Sequence, residues 1–194
     1  NISPVIPDDR KFQVPAVTCE SYMPAMIRLC KEMSIDLLVP GVDEELMKLH
    51  KASDKFENTM LFLPKPDFVE TMSSKLDMVL ALANKGIAVP KTVSPDVDDM
   101  SCLNEPIIVK PVNGRGSRNV FSLKKVQQAT SLYEALKDRA DSWIVQEKII
   151  GDEYTVQMIA SPRSELVAIL PIKVREKRGS TVSATMVEDL SVIQ

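Results

Sequence analysis

The sequence is poor in cysteine and histidine, the residues that build zinc sites and disulfide frameworks. Its three cysteines, Cys19, Cys30 and Cys102, lie far apart and include no Cys-x-x-Cys pair. They are interpreted as reduced thiols of a cytoplasmic protein, not as zinc ligands or a disulfide frame. The one histidine, His50, lies in a helical pattern beside Leu49 and has no second histidine with which to hold a metal. A helix-surface or packed histidine is therefore favoured over a catalytic one.

Long hydrophobic runs and a strong excess of either charge are also missing. No stretch approaches the roughly 18 apolar residues that span a bilayer, and the N-terminus has no basic-then-apolar signal pattern. A net charge of −3 over 194 residues gives no general attraction to nucleic acid or to anionic membranes. We therefore expect a cytoplasmic globular protein without nucleic-acid or membrane partners, in which any basic site is local.

Glycine is scarce, yet two of the six glycines, Gly114 and Gly116, are separated by a single residue. The β-branched run Ile107–Val109 before them predicts a buried strand that delivers Lys110 to its end. Pro111 is expected to stop the ladder of hydrogen bonds there. A second β-type run at 120–122 completes a predicted hairpin with a flexible tip.

The tip of this hairpin has the chemistry to cover a polyphosphate. Backbone N–H groups and Ser117 can donate hydrogen bonds while Lys110 supplies a positive charge. An ordinary glycine turn beside a solvated lysine explains the same residues, because such turns are common. The glycines alone leave both interpretations open.

The first 66 residues alternate between helical and strand patterns. Apolar spacing predicts a helix from Tyr22 to Met33, a strand at 35–40, a helix with Asp43 as N-cap, and a strand at 60–63. This order implies right-handed crossovers and a parallel sheet, that is, a Rossmann-like piece. No Gly-x-Gly-x-x-Gly opens a helix, so dinucleotide binding is not expected. The chain begins with Asn and is interpreted as a fragment.

Pro64-Lys-Pro66 predicts a boundary, followed by a short helix at 67–72. Ser73 or Ser74 is expected to cap a second helix that Gly86 ends. Lys75 in its first turn opposes the helix dipole, and an anion held between Lys75 and the helix N-terminus would reverse that cost. A solvent-facing lysine is the alternative.

The remaining chain predicts a helix at about 124–137 and four strands, at 143–147, 154–159, 166–172 and 181–187. The aspartates at 96, 98 and 99 lack the spacing of a calcium loop and are interpreted as a solvated loop. Residues 173–178 carry four basic side chains, for which a solvated basic loop remains possible.

Two motifs in this order resemble the ATP-grasp superfamily and, within it, the carboxylate ligases like the carbamoyl-phosphate synthase large subunit. They are Lys110-Pro-x-x-Gly-x-Gly-Ser117 and Val145-Gln-Glu-x-Ile-x-Gly-x-Glu-Tyr-Thr-Val156. Upstream, Ile35-Asp-x-x-Val-Pro-x-x-Asp-Glu-Glu45 is similar to the second half of the family's pre-ATP-grasp domain. The resemblance covers nearly the whole chain.

The resemblance implies an α/β fold: a partial Rossmann-like pre-ATP-grasp domain at 1–66, an ATP-grasp N-terminal and lid subdomain at 67–150, and the beginning of the C-terminal ATP-grasp subdomain at 151–194. It implies ATP as the bound nucleotide and, by position, a role for each matching residue. The phosphates would meet Lys75 and Lys110 under a mobile lid of Gly114, Gly116 and Ser117; the adenine would meet Glu147, Lys148 and Ile150; and the ribose hydroxyls would meet Glu153.

The chain also departs from the family pattern. The acidic strand and the Asn motif that hold Mg²⁺ in the family are not recognised, so its magnesium ligands are expected outside this chain. Arg175 is assigned a provisional catalytic role in stabilising the transferred phosphoryl charge. The resemblance implies an enzyme in its full-length form, an ATP-dependent ligase with a small-molecule carboxylate and a nucleophile as substrates, and possibly a homodimer.

Two other functions remain open on the sequence. The clamp could be a non-catalytic nucleotide-binding module, or the glycine hairpin could be structural in a plain interaction domain. ATP binding that depends on Lys110 would separate both nucleotide-binding hypotheses from the third.

Overall fold

A computed structural model describes residues 5–137 and 142–187. The chain divides into two compact units, residues 1–74 and 75–194, called here the N-terminal and C-terminal units. No helix in the described ranges is both long and apolar enough to cross a membrane.

The described residues of the N-terminal unit form three α-helices and a small parallel sheet. The elements are α1 (Tyr22–Glu32), β1 (Leu37–Leu38), α2 (Asp43–Lys51), β2 (Met60–Leu61) and α3 (Pro66–Ser73). β1 and β2 pair in parallel, with Leu37 opposite Met60, which confirms the predicted order of elements and the parallel pairing. Both strands are shorter than predicted, and the N-cap position of α2 is Val42, so the prediction of Asp43 was wrong by one residue.

A separate small core holds the N-terminal unit together. Helices α1 and α2 bury a cluster of Cys30, Leu49, Ala52 and Phe56. His50, beside Leu49, has its Nε2 2.8 Å from the carbonyl oxygen of Pro64. The histidine therefore has a structural contact, as the sequence favoured.

Within residues 75–137 and 142–187, the C-terminal unit forms two α-helices and two antiparallel sheets. Its helices are α4 (Lys75–Asn84) and α5 (Val126–Leu136), and its strands are β3 (Thr92–Val93), β4 (Ile107–Pro111), β5 (Phe121–Leu123), β6 (Trp143–Glu147), β7 (Tyr154–Ala160), β8 (Leu166–Arg178) and β9 (Ser180–Met186). The first sheet has the order β3-β6-β4-β5 and the second the order β7-β8-β9.

Strand alternation divides the first sheet into a core face and a site face. Ile107 and Val109 of β4 are fully buried and belong to one cluster with Ala129 and Leu136 of α5. Because successive side chains of a strand point to opposite faces, Lys110 lies on the other face. The packing of α5 thus fixes the direction in which Lys110 points.

Two strand predictions need correction. Pro111 does not stop the ladder: β4 pairs with β5 only as far as Val109, but it stays in register with β6 through Pro111 opposite Trp143. A proline lacks only the N–H donor, so pairing on one edge can continue past it. The basic stretch 173–178 is not a loop, because β8 extends through all of it to Arg178.

Candidate functional site

A cavity of about 330 Å³ lies beneath residues 112–120, which connect β4 to β5 and are called here the glycine loop. Five cationic side chains line it: Lys75, Lys110, Arg115, Arg118 and Lys177. None of the lining residues in the described part of the chain carries a carboxylate. The cavity is therefore suited to a polyanion, since close cations repel one another until an anion offsets their charge.

A chain of hydrogen bonds across three strands orients Lys110. Its Nζ donates to Gln146 Oε1 at 2.8 Å, and Gln146 Nε2 donates to Thr92 Oγ1 at 2.6 Å. The hydroxyl of Thr92 in turn donates to the carbonyl of Pro90 at 2.9 Å. Gln146 is only 7% exposed, so the ammonium group is held by a buried neutral amide.

Lys75 braces the base of the glycine loop. It is the first residue of α4, its backbone N–H donates to the carbonyl of Val112 at 2.9 Å, and its Nζ donates to the carbonyl of Gly114 at 2.7 Å. The pKa of Lys110 is lowered, first by burial and second by the positive charge of Lys75. A phosphate beside both lysines would stabilise their charged forms.

The glycine loop has a left-handed backbone at several positions and touches the β8–β9 turn. Positive φ angles occur at Gly114, Gly116, Ser117 and Asn119. Ser117 Oγ donates to the carbonyl of Gly179 at 3.1 Å, and a Cβ added to Gly179 would lie 2.7 Å from the carbonyl oxygen of Gly116. The two turns therefore approach each other backbone to backbone.

The end of β6 presents a surface of a different kind. Glu147 accepts hydrogen bonds from the backbone N–H and the side-chain amide of Asn104, both at 2.8 Å, and Lys148 Nζ donates to Ser122 Oγ at 3.0 Å. The two residues that follow, Ile149 and Ile150, are 67% and 74% exposed. Exposed isoleucines beside a strand end offer an apolar wall against which a flat ring can pack.

Further along the chain, Glu153 pairs with Lys177, whose Nζ lies 2.5 Å from Glu153 Oε1. Arg175 is not among the residues that line the cavity, and its Nε donates to Thr185 Oγ1 at 3.1 Å. In the described ranges no group of three or more His, Cys, Asp or Glu side chains could hold a metal ion. That the magnesium ligands lie outside this chain stays a prediction.

The structure thus brings five predicted residues together around one cavity: Lys75, Lys110, Gly114, Gly116 and Ser117. Sequence reasoning missed three lining cations, Arg115, Arg118 and Lys177. The two arginines lie inside the glycine motif, and the alternation of basic residues with glycine there could have indicated them as phosphate-binding residues. Lys177 gave no signal of its own among its basic neighbours.

Family models match both units. An ATP-grasp domain model matches residues 72–187, and a model of the PylC-like N-terminal domain matches residues 3–62. The first match covers more than half of the sequence, so the chain belongs to the ATP-grasp family. No curated protein matches it in sequence.

Solved structures show the same fold at low sequence identity. An L-amino acid ligase from Bacillus licheniformis is 19% identical with a TM-score of 0.56, over 85% of this chain and 40% of the other. D-alanine–D-alanine ligase from Bacillus anthracis, solved with ATP, is 17% identical with a TM-score of 0.59, over 84% and 56%. The biotin carboxylase domain dimer of the Hydrogenobacter thermophilus 2-oxoglutarate carboxylase, solved with MgADP, ADP and bicarbonate, is 16% identical with a TM-score of 0.63, over 89% and 42%. The chain therefore spans about half the length of these relatives or less.

Proposed function

We propose that the protein to which this chain belongs is an ATP-dependent ligase of the carbamoyl-phosphate-synthase-like type. ATP would phosphorylate a small-molecule carboxylate, and an amine or similar nucleophile would displace phosphate from the acyl phosphate. The observation that carries the proposal is the cavity beneath the glycine loop, with five cations around it, in a chain of the ATP-grasp family. The ligases among the structural neighbours support the same chemistry.

Each predicted residue has a role in this proposal. Lys75 and Lys110 offset the charge of the polyphosphate, while the glycine loop donates hydrogen bonds from its backbone and from Ser117. Glu147, Lys148 and Ile150 receive the adenine at the end of β6. Glu153 accepts hydrogen bonds from the ribose hydroxyls, and Arg175 stabilises the phosphoryl group during transfer.

The residues present fit a nucleoside triphosphate in charge and in chemistry. The cation-lined cavity suits the phosphates, and the exposed Ile149 and Ile150 suit the base. Magnesium would add further neutralisation of the phosphates, with ligands expected beyond this chain. A cytoplasmic homodimer acting on small molecules, without nucleic-acid or membrane partners, belongs to the same proposal.

A non-catalytic nucleotide-binding module is the second candidate. The observation that favours it is that the five lining cations could hold a polyphosphate by charge alone. Such a module would bind ATP without turning it over. Phosphate release in the presence of candidate carboxylates separates it from a ligase.

The first test is thermal unfolding of this chain with and without Mg-ATP. Ligand at about a hundred times its dissociation constant adds roughly 2.7 kcal/mol to the free energy of unfolding, which raises the melting temperature. Lys110→Ala removes a cation from the cavity, so we expect the variant to lose most of this rise.

The control is Lys124→Ala, which removes an exposed lysine that does not line the cavity. It should keep the full rise with ATP. A rise of equal size in wild type, Lys110→Ala and Lys124→Ala would show that ATP binds elsewhere and would refute the site.

A further inference from the structure

Lys177 lines the cavity and at the same time pairs with a carboxylate outside it. Its Nζ lies 2.5 Å from Glu153 Oε1, and the two side chains are 42% and 52% exposed. Lys110, by comparison, donates to the neutral amide of Gln146. The ammonium group of Lys177 is thus neutralised by a partner that reaches towards the cavity from the β6–β7 connection.

A phosphate in the cavity would compete for the same ammonium group. An ion pair between half-exposed side chains contributes little to stability, and a lysine carries three donors on a flexible stem that can turn to another acceptor. A polyphosphate held by the other lining cations would offer Lys177 several charged oxygens. Exchange of Glu153 for a phosphate oxygen should therefore cost Lys177 little free energy.

Glu153 would gain from this exchange as well. A ribose diol has two O–H donors and is best matched by both oxygens of one carboxylate. With Lys177 on Oε1, one of these oxygens already accepts a charge-assisted hydrogen bond. Departure of Lys177 would return the whole carboxylate to the ribose.

We propose that Lys177 is a specificity-determining residue that moves from Glu153 to the phosphates when a nucleotide binds. This inference rests on the proposed function and on the ribose role of Glu153. Recognition of the phosphates then releases the carboxylate that recognises the sugar. A nucleoside without phosphates must compete with Lys177 for Glu153 and gains nothing in return, so the site favours nucleoside di- and triphosphates over adenosine.

The test is titration of wild type and Lys177→Met with Mg-ATP and with adenosine. The substitution keeps an unbranched side chain and removes the charge. Affinity for Mg-ATP should fall about tenfold or more, as expected for a lost charge-assisted contact. Affinity for adenosine should rise about two- to fivefold, because a half-exposed ion pair no longer opposes it. A residue that only supports the fold would not move the two affinities in opposite directions.

Lys173→Met is the matched control. Lys173 lies on the same strand and pairs with Asp152, the neighbour of Glu153, but it does not line the cavity. Its loss should leave the ratio of the two affinities unchanged. If the ratio of the two affinities changes equally in both variants, the effect comes from the overall charge of β8 and the proposal is overturned.

Salt dependence in the wild type gives a second measurement that needs no substitution. Salt weakens exposed ion pairs, so affinity for adenosine should rise with salt while affinity for Mg-ATP falls. Parallel slopes, or ATP affinity unchanged in Lys177→Met, would overturn the exchange while leaving nucleotide binding in place. A wild type that binds neither ligand would refute the proposed function and the exchange with it.

Discussion

At the scale of single residues, Tyr22 and Glu45 form a hydrogen-bonded pair in the N-terminal unit. Tyr22 is 2% exposed, and its hydroxyl donates to Glu45 Oε1 at 2.6 Å. Glu45 Oε2 also accepts from the backbone N–H of Gly41 at 2.9 Å. One carboxylate thus ties α1 to the N-terminus of α2, where its negative charge is favourable.

This pair predicts a specific loss of stability at alkaline pH. Burial raises the pKa of Tyr22 above its usual value of 10.0, and the hydrogen bond and charge of Glu45 raise it further. The folded unit therefore binds the phenolic proton more tightly than the unfolded chain, so this contribution is complete below pH 10 and is lost as the pH rises above it. Tyr22→Phe should cost about 1–2 kcal/mol at neutral pH and should flatten the alkaline decline.

Urea unfolding at a series of pH values from about 8 to about 11 measures this difference. Tyr133→Phe in the C-terminal unit is the control and should keep the wild-type decline. An alkaline decline equally steep in Tyr22→Phe and wild type would contradict the assignment.

Local rules were enough to predict Lys110, but Gln146 and Lys177 reach their positions through pairing across strands, which the sequence does not show. Lys110 was predicted because the apolar run before it and the glycines after it lie within ten residues. Its partner Gln146 lies 36 positions further along the chain, and only the pairing of β4 with β6 brings the two together. The position of Lys177 depends in addition on the register of β8 against β9, which shifts at residues 174–177.

At the scale of elements, the contact between the glycine loop and the β8–β9 turn depends on Gly179. Its φ is +78°, and a Cβ there would lie 2.7 Å from the carbonyl oxygen of Gly116. Gly179→Ala should separate the two turns and lengthen the hydrogen bond from Ser117. Because Arg115 and Arg118 lie in the loop, trypsin should cleave the variant there faster than the wild type.

Gly151→Ala is the matched control, since a Cβ at Gly151 meets nothing within 4 Å. It should be cleaved at the wild-type rate. Equal cleavage of Gly179→Ala and Gly151→Ala would show that the β8–β9 turn does not restrain the loop.

Element types were predictable where periodicity was strong, and element lengths were not. α5 and β6 followed the predicted positions because their apolar spacing is regular. The predicted strand ended at Ile172, because the charged residues Lys173, Arg175 and Lys177 that follow are typical of a loop. They remain in a strand because β7 pairs with β8 as far as Lys173 and β9 continues the pairing to Arg178.

At the scale of the whole molecule, the two sheets of the C-terminal unit differ in burial. Four of the five residues of β6 are buried, whereas β7–β9 expose large apolar side chains including Met158, Leu166 and Val182. Protection against hydrogen exchange follows local burial and packing. Amides of β6 should therefore exchange only on global unfolding, while those of β7–β9 exchange earlier.

Hydrogen exchange read by mass spectrometry distinguishes the two sheets within one sample. Addition of Mg-ATP should slow exchange in the glycine loop. Uniform protection of β6 and β8 would contradict the difference inferred from burial.

The two compact units divide the chain between residues 74 and 75. The division of the sequence into three parts, at 1–66, 67–150 and 151–194, stays a prediction.

The only tryptophan gives the protein a built-in optical reporter. Trp143 is 1% exposed, and its ring centroid lies 6.3 Å from that of Phe121 on the core side of β4 and β6. Lys110 and the cavity lie on the opposite face of the same strands. Tryptophan fluorescence should therefore change when this core unfolds and change little when a ligand enters the cavity. Unfolding can then be measured separately from ligand binding.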